Sequence, residues 1–308
     1  MKRYLAPMRG LTEFIYRNAF SRHFKGIDIA VSPFITSVSG RISNKHLKDV
    51  LPQNNQDALP LIPQLLSKDP QGFICTAQKL FELGYEEINW NLGCPYAMVA
   101  NKMRGSGLLP YPERINDFLE KVLTRIPNRL SIKMRLGRFH AKEILSIIPD
   151  LNAYPLSELI IHPRTGIQMY DGTPNLKQFE KCLSLSKHPV VYNGDIRSQS
   201  DYNMICERFP LICGVMLGRG LLCNPFLGEM IENPHLQIDW DCLKQFHDDL
   251  YHQYRNVLSG PGHVLGKMKE HWKYLSELFE NSHHILKKIQ RSVSFRQYEC
   301  HVQKAFSF

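Results

Sequence analysis

The sequence predicts an α/β chain built as a (β/α)8 TIM barrel with a C-terminal helical bundle. Three observations predict it. Short β-rich runs alternate with amphipathic helical patterns along the first three quarters of the 308 residues. Several runs, such as ELIIH and GVMLG, are apolar on successive positions, as strands covered on both faces must be. Polar and glycine-rich segments then follow strand after strand, where a barrel gathers its eight functional loops. An open, doubly wound sheet would share the alternation, but eight strands in roughly 230 residues is the usual size of the barrel.

In chain order the strand candidates are Tyr4–Met8, Asp28–Phe34, Leu59–Leu65, Glu87–Leu92, Leu130–Leu136, Leu159–His162, Pro189–Asn193 and Cys213–Leu217. Amphipathic helical stretches lie between them at Pro70–Leu83, Pro112–Arg125, Leu176–Leu185 and Ser200–Arg208. The segment NPHLQ (Asn233–Gln237) breaks the pattern and divides the chain into a domain of residues 1–235 and a helical domain of residues 236–308. The tail reads as three helices: Trp240–Leu258, then His263–Phe279 after a break at Ser259–Gly262, then Ser282–Lys304.

Composition narrows the class. With 43% hydrophobic and 22% charged residues, the chain is neither disordered nor a repeat fibre. Mean hydropathy is -0.28, and no apolar run approaches the ~18 residues of a membrane span. Arg9 sits where a signal peptide needs its apolar centre, which predicts a cytoplasmic protein. Eight scattered cysteines without a C-x-x-C read as free thiols and offer no metal site. The net charge of +9 favours a polyanionic partner. From Tyr251 onward nine basic residues face four acidic ones, which suits either a solvated helical face or a surface that tracks phosphates.

Chemistry-bearing residues fall at the expected strand ends. Gly194 after the seventh strand, and Gly218 and Gly220 after the eighth, let backbone N–H groups approach a phosphate, with Arg219 as a charged partner. In isolation each would be an ordinary turn glycine. Lys133 stands inside an apolar strand, where a cation needs something negative or electron-rich to meet it. It either points into the barrel mouth toward an electron-accepting ring, or faces outward or pairs with a core carboxylate. Gln64 offers both a donor and an acceptor, suited to the edge of a planar heterocycle or to a satisfied core. Cys94, between Gly93 and Pro95, is held in a constrained turn. A thiol of ordinary pKa, about 8.5, can donate a proton near neutrality without activation, although most buried cysteines are inert.

Taken together, APMRGLTEFIYR (Ala6–Arg17), Gln64, NWNLGCP (Asn89–Pro95), GSGLL (Gly105–Leu109), KMRLG (Lys133–Gly137), HPRTGIQMYDG (His162–Gly172), NGDI (Asn193–Ile196) and MLGRGLLCNP (Met216–Pro225) resemble the dihydrouridine synthases. The match of order and spacing covers essentially the whole chain. The resemblance implies an FMN- and NADPH-dependent oxidoreductase that reduces the C5–C6 double bond of a uridine in tRNA, working as a monomer. It implies that Asn193, Gly194, Asp195, Gly218 and Arg219 hold the flavin phosphate, with His162 on the ribityl-phosphate side. Pro7 and Met8 would lie beside the ring, Lys133 on the ring and Gln64 at its polar edge. Cys94 would protonate C5 of the uracil, and Asn91 and Arg164 would position the base. The tail, through Lys267, Lys269 and Lys273, would grip a tRNA whose target base is turned out of its stack.

The chain departs from the family pattern in places. The stretch after Cys94 reads Pro95-Tyr96-Ala97-Met98-Val99, without the usual basic residue, and Lys102 and Arg104 are the cations that could replace it. Ser32-Pro33-Phe34 stands where many members have a glutamate, Gly107 where alanine is usual, and Arg9 where a small or acidic residue is common. The tail segment Lys267–Leu275 and Phe34-Ile35-Thr36 lean toward the bacterial C subgroup. Two other readings share the scaffold: a barrel flavoenzyme acting on a small molecule, and an RNA-binding relative without turnover. The basic tail separates the first, and the Ala97-Met98 departure suggests the second.

Overall fold

A computed structural model describes residues 1–38, 41–56 and 59–307. Eight parallel strand positions form a barrel: β1 (Lys2–Leu5), β2 (Ile29–Val31), β3 (Leu61–Ile62 and Gln64–Leu65), β4 (Glu87–Leu92), β5 (Arg129–Gly137), β6 (Leu156–Thr165), β7 (Val190–Tyr192) and β8 (Gly214–Leu217). The sheet runs from the first half of β3 through β2, β1, β8, β7, β6, β5 and β4 to the second half of β3. Only Pro63 separates the two halves. Lacking an N–H, it cannot continue the ladder, but its carbonyl accepts from Asn89 at 2.9 Å and the ring closes around it.

All eight expected strands are present, with shifted ends. β6 is longer than Leu159–His162 because Pro163, which reads as a strand end, lies in a register irregularity: Arg135 faces His162, whereas Gly137 faces Thr165. Bulges tolerate such a residue.

Helices α1 (Phe14–His23), α2 (Pro70–Glu82), α3 (Pro112–Leu123), α4 (Ile144–Leu151), α5 (Leu176–Leu185), α6 (Gln199–Arg208) and the short α7 (Arg219–Cys223) connect the strands. α4 escapes the sequence pattern because Pro149 sits inside it, and a proline there normally signals a break. A hairpin of Ser37–Val38 with Arg41–Ile42 was likewise not foreseen.

The tail contains four principal helices: α8 (Trp240–Val257), α9 (Gly260–Leu275), α10 (Ser282–Arg291) and α11 (Phe295–Ala305). Two expectations are corrected here. The Ser259–Gly262 segment is the start of α9, with its proline in the first turn, where the missing N–H costs nothing. The stretch Ser282–Lys304 is two helices, because Ser294 caps α11 by accepting from the Gln297 N–H.

A small cluster, including Tyr4, Val31, Ile160, Val191 and Met216, fills the barrel floor. The larger core lies between strands and helices and continues unbroken into the tail, from Tyr16 and Phe20 on α1 to Phe246, Leu250, Met268 and Trp272. Phe24 meets Phe246 edge-on at 4.9 Å, and Tyr16 stacks on His271 at 5.4 Å. Each such aromatic pair contributes about 0.5–1.5 kcal/mol beyond its buried area. All eight cysteines are free thiols.

Candidate active site

The period of two along a strand sends alternate side chains into the barrel. On β4 this selects Asn89 and Asn91, and on β5 Ser131, Lys133 and Arg135. In the ladder Asn91 stands beside Lys133 and Arg135 beside His162. These groups rise to a cavity of about 360 Å³ at the C-terminal mouth, within the usual size of a cofactor or substrate pocket.

Pro7, Met8, Gln64, Asn91, Cys94, Lys133, His162, Asn193, Gly194, Asp195, Gly218 and Arg219 all line it. The structure therefore brings together most of the residues singled out from the sequence. Four lie elsewhere. Arg164 is buried behind the cavity, Lys267 donates to the Gly10 carbonyl at 2.7 Å and to Glu13 at 3.2 Å, Lys269 donates to the Ser292 carbonyl at 2.6 Å, and Lys273 is exposed on α9.

A chain of uncharged groups, two of which line the cavity, crosses the barrel. Gln64 Nε2 donates to Asn89 Oδ1 at 2.8 Å, and Asn89 Nδ2 donates to Ser131 Oγ at 2.9 Å. Asn91 Nδ2 donates to Gln64 Oε1 at 2.6 Å, while Asn91 Oδ1 accepts from the N–H groups of Gly93 (3.0 Å) and Cys94 (2.8 Å). Asn91 thus fixes the turn that carries the thiol. The turn is closed from the other side by the Ser106 N–H and hydroxyl, both donating to the Cys94 carbonyl. Gly107 belongs to this bracket: a Cβ there would come within 2.1 Å of the Ala100 carbonyl. The departure from alanine follows from that close approach.

Burial pushes the Cys94 thiol up, against the Tyr96 backbone hydrogen bond and the charges of Arg135, Arg9 and Arg104, which pull it down. The net direction keeps it protonated near neutrality. Of the two cations that might have replaced the missing basic residue, Arg104 is the one whose charge reaches this sulfur, joined by Arg9.

Lys133 faces the mouth and donates to Asn193 Oδ1 at 2.6 Å. Asn193 in turn donates to the Met216 carbonyl at 2.8 Å. Burial first, then the neighbouring Arg135, pull the Lys133 ammonium down to about 7. Burial, reinforced by Arg135, Lys133, Arg164 and Arg219, pulls His162 well down, so it is neutral. Arg164 Nη1 lies 3.1 Å from His162 Nε2. Because a guanidinium only donates, Nε2 accepts and the ring proton sits on Nδ1.

Asp195 accepts from Arg164 and from Arg219 (2.6 Å). Burial alone would raise its carboxyl, but these hydrogen bonds and charges hold it below its ordinary value. It is the one carboxylate among the described residues lining the cavity, against Arg9, Lys133, Arg135, Arg197 and Arg219. Arg219 pairs with Asp195 and the exposed Arg197 with Glu277, whereas Lys133 and the buried Arg135 have no carboxylate partner among the described residues, and buried cations left so are costly. The donor set therefore fits an anionic ligand with hydrogen-bonding edges, and Gly194 is required where it stands because a Cβ there would fall 2.2 Å from the buried Tyr192 hydroxyl.

Some cavity residues had no role assigned from the sequence. Arg135 donates to the Thr165 (2.8 Å) and Met169 (2.6 Å) carbonyls, and its place two residues after Lys133 was a usable signal. Tyr170, Tyr96 and the tail residue Tyr274 also line the cavity. Tyr170 fell within a quoted motif and Tyr274 beside the basic tail, but nothing local placed them or Tyr96 at the cavity, since they arrive from separate loops and from α9. Among the described residues, no helix is long and apolar enough to cross a membrane, and no group of side chains could hold a metal ion.

The family model described as "Dihydrouridine synthase (Dus)" matches residues 4–307. A tRNA-dihydrouridine(16) synthase of Haemophilus ducreyi is 28% identical, over 98% of this chain and 94% of that protein. Another, of Pseudomonas syringae pv. tomato, is 32% identical over 74% of this chain and 73% of its own length. Among solved structures, the old yellow enzyme homologue from Zymomonas mobilis shares the barrel fold with a TM-score of 0.57 at 12% identity, over 80% of this chain and 92% of that one. Morphinone reductase does so with a TM-score of 0.56 at 12% identity, over 80% and 88%. A family match across nearly the whole length, on a barrel whose mouth gathers those motifs, means that the chain belongs to the dihydrouridine synthases, a family of oxidoreductases.

Proposed function

We propose that the protein reduces the C5–C6 double bond of a uridine in tRNA, with FMN held in the barrel mouth and NADPH as reductant. One observation carries this: a thiol that burial keeps protonated shares a cavity with five cations and, among the described residues lining it, one carboxylate. The chemistry FMN would supply there is hydride for C6 of the pyrimidine.

The chain's own groups divide the remaining work. Cys94 Sγ gives a proton to C5, which its burial keeps available. Asn91, whose oxygen holds the Cys94 N–H, aims that sulfur and lines the cavity where a base would sit. Lys133 would supply positive charge to the flavin ring, and Gln64, which also lines the cavity, would lie at its edge. His162 Nδ1–H would be the donor on the ribityl-phosphate side. Arg219, braced by Asp195, would hold the phosphate beside Gly194 and Gly218, and Arg164 supports Asp195 from behind. Pro7 and Met8 supply an apolar wall.

Residues 236–308 are taken as the RNA-gripping region, with Lys273 free to meet phosphate. The names of the relatives make position 16 the first to map.

The test is Cys94→Ala in purified protein. Bound FMN and NADPH oxidation should persist, while dihydrouridine formed on tRNA from a strain lacking the modification falls by about 10²–10⁴-fold, the usual worth of a general acid. Near-normal turnover by the variant would remove the proton-donor role.

A further inference from the structure

Five large apolar side chains stand exposed on the loops that follow three consecutive strands. They are Tyr96 and Met98 after β4, Phe139 after β5, and Ile167 and Tyr170 after β6, each between 39% and 64% exposed. Consecutive strands put these loops side by side on the rim of the mouth, and Tyr96 and Tyr170 also line the cavity itself. Isolated exposed hydrophobics need no explanation, but a contiguous set beside a binding cavity marks a contact surface.

The loops are cross-braced. Arg138 Nη1 donates to the Pro95 carbonyl at 2.8 Å, joining the second loop to the first, and the Ile167 N–H donates to the Arg138 carbonyl at 3.0 Å, joining the third. The surface is therefore preformed. Its aromatic rings are backed by guanidinium groups: Arg138 lies 5.8 Å from the Phe139 ring centre, and Arg135 and Arg219 lie 5.3 Å and 5.0 Å from that of Tyr170. Arg9 rests against Met98 Sδ at 3.6 Å and has no carboxylate partner among the described residues. Glu143, the acid next to Phe139, spends its oxygens on the N–H groups of Arg138, Phe139 and His140.

We infer that this rim is a stacking platform for the unpaired RNA bases that flank the target uridine, with Arg9 meeting a neighbouring phosphate. The inference rests on the proposed tRNA reading and says which part of the RNA is held, and by what. Apolar and aromatic faces framed by cations suit splayed bases, which every stacking surface accepts whatever their sequence. A basic protein partner would meet like charge around the same hydrophobics, and a duplex stem would present phosphates rather than ring faces to them.

The experiment uses the full-length flavin-loaded protein, the variants Phe139→Ala, Ile167→Ala, their combination and Phe139→Trp, and tRNA from a strain lacking dihydrouridine. Flavin content and NADPH oxidation show that each variant is folded. We expect the double variant to raise KM for tRNA by about tenfold or more with kcat within about twofold, and Phe139→Trp to keep the wild-type KM. Once the target uridine is mapped, abasic sites at its two neighbours should raise KM for the wild type and leave the double variant unchanged. An unaltered KM in the double variant, or equal penalties from the abasic sites in both proteins, overturns the platform and leaves a stem contact or a protein-docking surface. Wild-type protein that makes no dihydrouridine at all overturns the tRNA reading, and the platform with it.

Discussion

Lys133 shows how one side chain carries a testable electrostatic consequence. It sits among cations, hydrogen-bonded to an amide rather than a carboxylate, and its ammonium is pulled down to about 7. An anionic ligand favours the protonated form, so affinity for a phosphate-bearing flavin should be full below about 7. It should weaken by up to about tenfold per pH unit above it, one proton being linked to binding. Lys133→Met should bind FMN more weakly and remove that component of the pH dependence, as fluorescence titration would show. An unchanged slope would place the linked proton elsewhere. That Lys133 faces the mouth was one of two orientations the strand pattern allowed. His162 was legible as a site residue, but its neutrality and its Nδ1 proton were not: the first comes from burial and then from the surrounding cations, the second from Arg164, which reaches it through a bulge.

At the level of elements, strand positions were readable because apolar runs bounded by glycine and polar segments repeat eight times. Helix ends were less so. Two serines and an exposed valine, residues 292–294, turn one expected helix into two through a cap that costs the sequence no proline or glycine. The bracket after β4 was half legible. Cys94 stood out by its neighbours, yet the contact that demands Gly107 joins two points of a loop with no periodicity. Gly107→Ala should lower stability by about 1–3 kcal/mol, the usual penalty for overpacking, or more because the obstructing atom is backbone. Denaturant unfolding measures this. A variant as stable as the wild type would mean that the bracket opens freely.

For the molecule as a whole, the tail is welded to the barrel. Asp249 on α8 pairs with Arg22 at 2.8 Å, Tyr16 stacks on His271, and Tyr274 enters the cavity. Removing the tail would expose the aromatic face of α1, so the role in RNA binding proposed for it is better probed by charge than by truncation. Affinity for tRNA should fall steeply between low and physiological salt as phosphate contacts release counterions. Filter binding across a salt series tests this, and a flat response would deny the net charge of +9 any part in recognition.

The amide-and-hydroxyl chain beneath the site, from Ser131 through Asn89 and Gln64 to Asn91, contains no group that gains or loses a proton in water's ordinary range. The mount that points the sulfur is thus indifferent to acidity. Whatever rise or decline a pH–rate curve displays must come from the titrating cavity groups or from the reactants, and the curve can be interpreted without a correction for a shifting scaffold.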